Sequence, residues 1–294
     1  MPRGEGFCGM PWEPWAASVC IHRGEEPPLN PIVNIFFDGC NLQCIYCQNW
    51  QISRPQRPHP QSLSCEERGV DSIVDDICRL LPSPPGRGAG GEALLGFVTA
   101  AHYPEAVPAI VGALRDRGYA PTVVYNSSGY ESVDTLRSLE GLVDIYLPDL
   151  KYMDPTLAAE YSHAPDYPEV AADAIREMRR QVGATLKVGD DGMAYRGLMV
   201  RHLVLPGAAD NTRRCLDWLA DAMPATVTLS LMAQYFPPRT GLPAPLDRTL
   251  RPDEYDEALR YAAQLGFCNI YAQELAAQTN YRPDFGRDGH PFEP

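Results

Sequence analysis

Residues 32–50, IVNIFFDGCNLQCIYCQNW, join an apolar run to three closely spaced cysteines. The β-branched and aromatic run Ile32–Phe36 predicts a buried strand, and the loop that follows it carries Cys40, Cys44 and Cys47 in a CxxxCxxC spacing. Soft thiolates bind iron–sulfur clusters or zinc, but a closed structural zinc site needs four ligands and no second cysteine pair lies nearby. Three thiolates leave one iron of a four-iron cluster open for a small molecule with an amine and a carboxylate.

Two other interpretations of these cysteines stay open at the level of the sequence. The first is a chance group of buried thiols, and the second is a zinc knuckle completed by His22 or Cys20. The spacing favours the cluster, because three thiols in one short loop can all point to the same side.

Composition limits the classes of protein to which the chain can belong. The 294 residues are 45% hydrophobic and 21% charged, with a net charge of −13, and no apolar run approaches the roughly 18 residues that a membrane span requires. The negative charge argues against nucleic acid as the main partner. Residues 1–7 lack the long apolar core of a secretory signal, so we predict a cytoplasmic protein whose nine cysteines are not paired in disulfides.

Strand and helix patterns alternate along the chain. The predicted strands are Ile32–Phe36, Leu94–Thr99, Thr122–Tyr125, Val143–Leu147, Met199–Leu205, Val227–Met232 and Asn269–Ala272. Apolar stripes at helical spacing lie within 104–117, 170–182 and 255–262. Strands that alternate with helices indicate a parallel sheet, so the predicted fold class is α/β with a partial (β/α)6-type parallel barrel.

The domain boundaries follow from the same pattern. We predict an N-terminal extension over 1–30, one barrel domain over 31–272 and a C-terminal tail over 273–294, an extended segment that packs on the barrel, covers the substrate mouth or is partly disordered. The proline- and glycine-rich segment 82–92 is predicted as an exposed loop inside the barrel domain.

The cysteine motif, with Tyr46 before the third cysteine, resembles the signature of radical S-adenosylmethionine enzymes. The longer stretch from Gly24 to Trp50 is similar to the pyruvate formate-lyase activating enzyme-like branch of uncharacterised iron–sulfur proteins, and the likeness extends to about Tyr235. The resemblance implies a [4Fe-4S] cluster that reductively cleaves S-adenosyl-L-methionine to a 5'-deoxyadenosyl radical.

The resemblance also implies partners. The hydrogen donor would be a backbone glycine of a glycyl-radical enzyme, and the electron would come from a low-potential donor such as flavodoxin or ferredoxin. Two alternatives remain: radical modification of another peptide or small metabolite, because a fold does not set its substrate, and a non-catalytic iron–sulfur or zinc protein.

Polar residues at the carboxyl ends of the predicted strands are candidates for binding the cofactor. The segment Asp149-Leu150-Lys151 and the segment that begins Arg201-His202 resemble parts of glycyl-radical activases that are associated with S-adenosylmethionine. The candidates, in chain order, are Tyr46, Thr99, Asn126, Ser127, Asp149, Lys151, Arg201 and His202. A zwitterionic methionyl group and a nucleoside require matched charges, hydroxyl partners and an aromatic face, which this set supplies.

Two departures from the family pattern are visible in the sequence. Many activases have Gly-Gly-Glu after the second strand, whereas residues 98–102 read VTAAH, so the segment Thr99–His102 must contact the cofactor differently if it does so at all. Relatives of this branch also carry more cysteines upstream, and Cys8 is either a remnant of an extra metal site or an unpaired thiol.

Overall fold

The predicted parallel α/β sheet is present in a computed structural model, which describes residues 16–54, 69–82, 93–280, 282–287 and 290–292. Its strands are β1 (Ala16–His22), β2 (Ile32–Phe37), β3 (Leu94–Val98), β4 (Thr122–Ser127), β5 (Ile145–Pro148), β6 (Lys187–Val188), β7 (Ala194–Leu203), β8 (Thr228–Met232) and β9 (Ile270–Ala272). Cys8 and the predicted loop, apart from Pro82, lie outside the described residues.

The sheet has the strand order β1-β2-β3-β4-β5-β7-β8-β9, with β6 paired to β7 beside this path. The pairs from β2 to β9 along the path are all parallel, and β1 runs antiparallel to β2. Each of the seven predicted strands is found, which confirms the predicted fold class. Strand β1 was not predicted: it falls in the segment that the sequence indicated as an extension.

Helices cover the connections between parallel strands. They are α1 (Trp50–Ser53), α2 (Val70–Leu80), α3 (Ala106–Asp116), α4 (Val133–Ser138), α5 (Pro155–Ser162), α6 (Tyr167–Val182), α7 (Ala209–Ala222), α8 (Pro252–Gln264) and α9 (Ala277–Asn280), with short 3-10 helices at Pro27–Leu29 and Ala100–His102. Within the part of the chain described, none of them combines the length and apolar character that crossing a membrane requires.

Helix α3 illustrates how the predicted apolar stripes fix the layers. Val107, Ile110, Val111 and Leu114 are at most 1% exposed and belong to the main core, which also contains the helix-facing residues of β2 to β4. Burying each such side chain contributes roughly 1.5–3 kcal/mol to stability. The helices therefore pack on one face of the sheet, and its other face is left to enclose an interior lumen.

On that inner face, Gly96 of β3 lies beside Asn34 of β2 in the sheet register. A Cβ atom at Gly96 would lie 1.9 Å from Asn34 Oδ1, so any larger residue collides with the Asn34 side chain. Asn34 Nδ2 donates a hydrogen bond to Glu25 Oε1 at 3.1 Å, which links the sheet to the segment between β1 and β2. Gly96 is needed because it leaves room for this amide.

We predict that Gly96→Ala lowers the free energy of unfolding by about 1–3 kcal/mol, the usual penalty for overpacking a filled interior. The control is Gly112→Ala in α3, where a Cβ atom meets nothing within 4 Å. That variant should gain about 0.5–1 kcal/mol, because alanine is the better helix former. Denaturant titration measures both values, and equal stability of the two variants would contradict the packing described for Asn34.

Candidate metal and cofactor site

The three cysteines lie in a loop between β2 and α1 that is fixed at both sides. Gly39, with φ of +86°, turns the chain out of β2, and its amide donates to Ile52 O at 2.7 Å. The amide of Ile45 donates to Tyr161 O at 2.8 Å at the end of α5. The loop is therefore held between α1 and α5 at the carboxyl ends of the parallel strands.

The thiols lie close enough to influence one another. Burial raises the pKa of Cys40, and the neighbouring Cys44 and Cys47 raise it further. Burial also raises the pKa of Cys44, to about 11, against the opposing effect of Lys151. Thiolates gathered in this environment need a cation to compensate their charge, and an iron–sulfur cluster supplies one.

Three soft thiolates on one loop are the donor set that a four-iron cluster requires. In the described part of the chain, no three His, Cys, Asp or Glu side chains converge closely enough to hold one metal ion. Each cysteine of a cubane binds a different iron, so its ligands stand further apart than those of one zinc. The proposed zinc partners lie elsewhere: Cys20 is buried in an apolar cluster with Phe36, and His22 lines an interior cavity.

A series of hydrogen-bonded hydroxyl groups leads to Cys44 Sγ. Ser162 Oγ lies 3.0 Å from Cys44 Sγ and donates to it, and Tyr152 OH lies 2.7 Å from Ser162 Oγ. The hydroxyls of Tyr152 and Tyr46 are 2.6 Å apart, and both rings are buried. Tyr46, predicted as a cofactor contact, is thus placed under the cysteine loop with its ring edge-on to Tyr161 and Tyr235.

Asp149 and Lys151 follow β5 and form an ion pair beside the cysteines. Lys151 Nζ lies 2.5 Å from Asp149 Oδ2, and these two side chains are 17% and 22% exposed respectively. Burial alone would lower the pKa of Lys151, but Asp149 and Cys44 outweigh it and hold that pKa well above the usual value. Lys151 is therefore a permanent cation close to the thiols.

The backbone of this pair is positioned by Tyr167 and Gly129. Tyr167 OH donates to Asp149 O at 2.8 Å and to Ser128 O at 2.9 Å, and it accepts from the Lys151 amide at 3.0 Å. Gly129 has φ of +80°, and a Cβ atom there would lie 2.2 Å from Asp149 O. The turn after β4 can approach the turn after β5 this closely only with glycine.

Arg201 and His202 are neighbours on β7 and face opposite sides of the sheet. Arg201 lies inside the lumen, where its guanidinium pairs with Glu25 and Glu26. His202 faces α7: its Nδ1 is 2.7 Å from Leu150 O and its Nε2 is 3.0 Å from Thr212 Oγ1. His202 therefore lies on the helix-covered side of the sheet, opposite Arg201 and the cavity.

Of the remaining candidates, Thr99 directly follows β3, and Asn126 and Ser127 are the last two residues of β4. Thr99 adopts a left-handed conformation, with φ of +61°, which is unfavourable for a β-branched residue. Its amide donates to Asn126 O at 3.2 Å, and Asn126 lines the interior cavity. Ser127 donates through Oγ to Glu131 Oε1 at 3.0 Å instead of pointing to a ligand.

An interior cavity of about 120 Å³ lies between the inner face of the sheet and the C-terminal segment. Gln48 and Asn49 after the cysteine loop form part of its wall, and Pro283 and Phe292 close one side. His290 Nε2 lies 2.7 Å from Ile21 O, which fixes the segment on β1. The described part of the tail thus packs on the body and lines the cavity.

Several residues of this site were not singled out by sequence reasoning. Glu25 and Glu26 were quoted only as part of the family resemblance, and Glu131, Tyr152 and Ser162 had no signal of their own. All of them except Glu131, which contacts Ser127 and Tyr125 nearby, act through a residue far away in the sequence. For Glu25 and Glu26, the one signal in the sequence was that two carboxylates stand next to each other before two prolines. Such a pair indicates that a cation lies nearby in the fold.

The chain is similar to known proteins in sequence and in fold. No protein-family model matches it. It is 27% identical over 278 residues to the uncharacterized protein MJ0674 of Methanocaldococcus jannaschii, covering 90% of this chain and 72% of that protein. A cysteine-to-serine mutant of spore photoproduct lyase has a TM-score of 0.53 at 14% identity, covering 87% of this chain and 79% of that chain. A domain of pyruvate-formate lyase-activating enzyme from Bacteroides vulgatus has a TM-score of 0.45 at 14% identity, covering 63% of this chain and all of that domain.

The likeness to spore photoproduct lyase shows that the chain shares the fold of that protein, and the strand order agrees with the predicted parallel α/β sheet. The prediction of this fold class from the sequence is confirmed. The narrower assignment to the pyruvate formate-lyase activating enzyme-like branch stays a prediction.

We predict that buried Glu131 makes stability depend on pH. Burial, opposed by hydrogen bonds from Ser127 and Tyr125, raises the pKa of Glu131 to about 7. The folded state therefore holds a proton that the unfolded chain, with a pKa of about 4.3, releases earlier. Stability from this group is fully present below about pH 4 and is lost as the pH rises towards 7.

Glu131→Gln removes this proton equilibrium and keeps an oxygen that accepts from Ser127. Relative to the unsubstituted chain, its free energy of unfolding should rise by about 3 kcal/mol between pH 4 and pH 8. Glu160→Gln, on the exposed face of α5, controls for the loss of one negative charge. A stability difference for Glu131→Gln that does not change with pH would show that the carboxyl is ionised in the fold.

Proposed function

We propose that this chain is a radical S-adenosylmethionine enzyme that binds a [4Fe-4S] cluster through Cys40, Cys44 and Cys47. The observation that carries the proposal is the position of the three thiols, on one fixed loop at the carboxyl ends of the parallel strands and beside the Asp149–Lys151 pair. Three cysteines leave one iron free to bind the amine and carboxylate of the cofactor.

Cys40, Cys44 and Cys47 would hold the cluster, which would supply the single electron for reductive cleavage of S-adenosylmethionine and so support hydrogen-atom abstraction from a substrate. The side chains of the protein position the cofactor. Lys151 offers a cation to its carboxylate, and Asp149 offers an acceptor to a hydroxyl or the amine. Asn126 offers an amide to the nucleoside from the wall of the cavity.

For the substrate, we propose a peptide group of a partner protein, with the backbone glycine of a glycyl-radical enzyme as the first candidate. The similarity of 149–151 and 201–207 to activase segments supports this choice. Another peptide or a small metabolite is the alternative, and a flavodoxin or ferredoxin is the proposed electron donor.

The test is anaerobic reconstitution with iron and sulfide, followed by dithionite and S-adenosylmethionine. We expect about four irons and four sulfides per chain, with formation of 5'-deoxyadenosine and methionine in equal amounts. A fully loaded protein that produces no 5'-deoxyadenosine would refute the proposed enzyme and leave a non-catalytic iron–sulfur protein. Iron that fails to bind while zinc binds tightly would refute the cluster itself.

We predict that Cys44→Ala abolishes both the cluster and cofactor cleavage, because two thiolates cannot hold three corners of a cubane. Cys268→Ala is the matched control, since Cys268 is exposed and lies at the far end of the chain before β9. Iron content and the 5'-deoxyadenosine yield measure the two effects. Full cluster content in the Cys44 variant would show that the ligands are assigned wrongly.

We predict that Ser162→Ala makes the reduction potential of the cluster more negative. The Ser162 hydroxyl donates to Cys44 Sγ at 3.0 Å, and a hydrogen bond to a cluster ligand stabilises the added electron. We expect on the order of a tenfold loss in the reduction equilibrium, which corresponds to about 59 mV for one electron. Ser138→Ala in α4, which is exposed, is the control. An unchanged potential in a redox titration would remove Ser162 from this role.

A further inference from the structure

The interior cavity contains more buried negative charge than its own residues neutralise. We propose that this cavity binds the ammonium group of the substrate, with Glu25, Glu26 and His22 as its acceptors. This inference rests on the proposed function in one respect: it takes the bound amine to be part of the substrate of that reaction. The site itself is argued from the contacts of the chain.

The charges of the cavity can be summed. Arg201 Nε donates to Glu26 Oε1 at 3.1 Å, and Arg201 Nη2 donates to both Glu25 and Glu26. Burial would raise the pKa of Glu25, but Arg201 and His22 outweigh it and the pKa is lowered, so Glu25 is ionised. Two carboxylates face one guanidinium, and no other charged side chain among the described residues lines the cavity.

His22 adds an unsatisfied acceptor to this wall. The residue is 8% exposed and lines the cavity, and its Nδ1 atom is buried with no hydrogen-bond partner. Burial is the largest influence on its pKa, which is lowered, so the ring is neutral at pH 7. Its Nε2 lies 4.0 Å from Glu25 Oε1. We assign the proton to Nε2, on the side of the carboxylate, so Nδ1 presents its lone pair.

The polar groups on the opposite wall are already paired with one another. Gln48 Nε2 donates to Gln234 O at 3.0 Å, and Gln234 Nε2 donates to Gln48 Oε1 at 3.1 Å. Gln273 donates through Nε2 to Gln234 Oε1 at 2.9 Å, and its Oε1 accepts from the Ala233 amide at 3.0 Å. On the other wall, His22 Nδ1 has no partner, and the carboxylates of Glu25 and Glu26 can accept further hydrogen bonds besides those from Asn34 and Arg201.

A primary ammonium group fits this arrangement. It carries three donors and no acceptor, which matches two carboxylates and one imidazole nitrogen, and its charge cancels the excess negative charge. Phe36, Val98, Met232 and Phe292 supply apolar wall for a short alkyl chain. The volume of about 120 Å³ is ample for an ammonium group and a short alkyl chain.

The probe is n-butylammonium, titrated calorimetrically into the full chain, with 1-pentanol as the uncharged analogue of similar length. We expect n-butylammonium to bind and 1-pentanol not to bind. Glu26→Gln should weaken binding at least tenfold, because it removes one buried charge. Glu254→Gln loses the same charge at the Arg248 ion pair outside the cavity, so it is the matched control and should bind as the unsubstituted chain does.

A second variant keeps the test decisive if Glu26→Gln fails to fold. His22→Phe removes the Nδ1 acceptor and keeps an aromatic ring against Phe292, whose ring centre lies 4.3 Å from that of His22. We expect it to melt normally and to bind n-butylammonium several-fold more weakly. Equal affinity of His22→Phe, or equal affinity of n-butylammonium and 1-pentanol, would overturn the ammonium site.

Two further titrations separate the sources of the ammonium. Binding of both n-butylammonium and Nα-acetyl-lysine amide would support a substrate amine that includes a lysine side chain. Displacement of n-butylammonium by S-adenosylmethionine in the cluster-free chain would assign the site to the cofactor and overturn the substrate assignment. Because these titrations need no cluster, absence of amine binding with normal 5'-deoxyadenosine formation refutes this inference alone. Amine binding without 5'-deoxyadenosine formation refutes the proposed function.

Discussion

The ion pair of Arg201 with Glu25 and Glu26 holds the inside of the open sheet together. In an open parallel sheet with helices on one face, the other face must also be filled. Here the short segment after β1, which carries Glu25 and Glu26, enters the lumen and pairs with the guanidinium of Arg201 on β7. Removing one partner of such a buried pair costs about 3–5 kcal/mol, because the remaining charge is left without compensation. Asn34 and the space above Gly96 seat this segment, so the two walls of the lumen are fixed relative to each other.

The position of the cysteine loop also depends on how the walls of the lumen are held. It leaves β2, one of the two walls, and continues into α1, while Ser162 and the buried tyrosines hold its underside. The loop needs this support because a short stretch with three thiols has no regular structure of its own. The rim of the site is thus built from turns that are each pinned by a distant residue, as Tyr167 pins the turn that carries Asp149 and Lys151.

The sequence predicted the features that local pattern determines. The β-branched runs located every parallel strand, the helical stripes located α3, α6 and α8, and the cysteine spacing located the loop. Strand β1 was missed because an edge strand with alternating burial in a mixed composition resembles an irregular extension. The pairing of Arg201 with Glu26, 175 residues away, has no local signal at all. For His202, the alternation of side chains along a strand would have placed it on the face opposite Arg201.

We propose that three cysteines leave one iron of a four-iron cluster open at the mouth of this lumen. Electron paramagnetic resonance of the reconstituted, dithionite-reduced chain tests it most directly, with spectra recorded before and after addition of S-adenosylmethionine. If the amine and carboxylate of the cofactor bind the open iron, the signal of the reduced cluster changes shape and position when the cofactor is added. A reduced four-iron signal that stays the same at saturating cofactor would contradict an open, cofactor-binding iron.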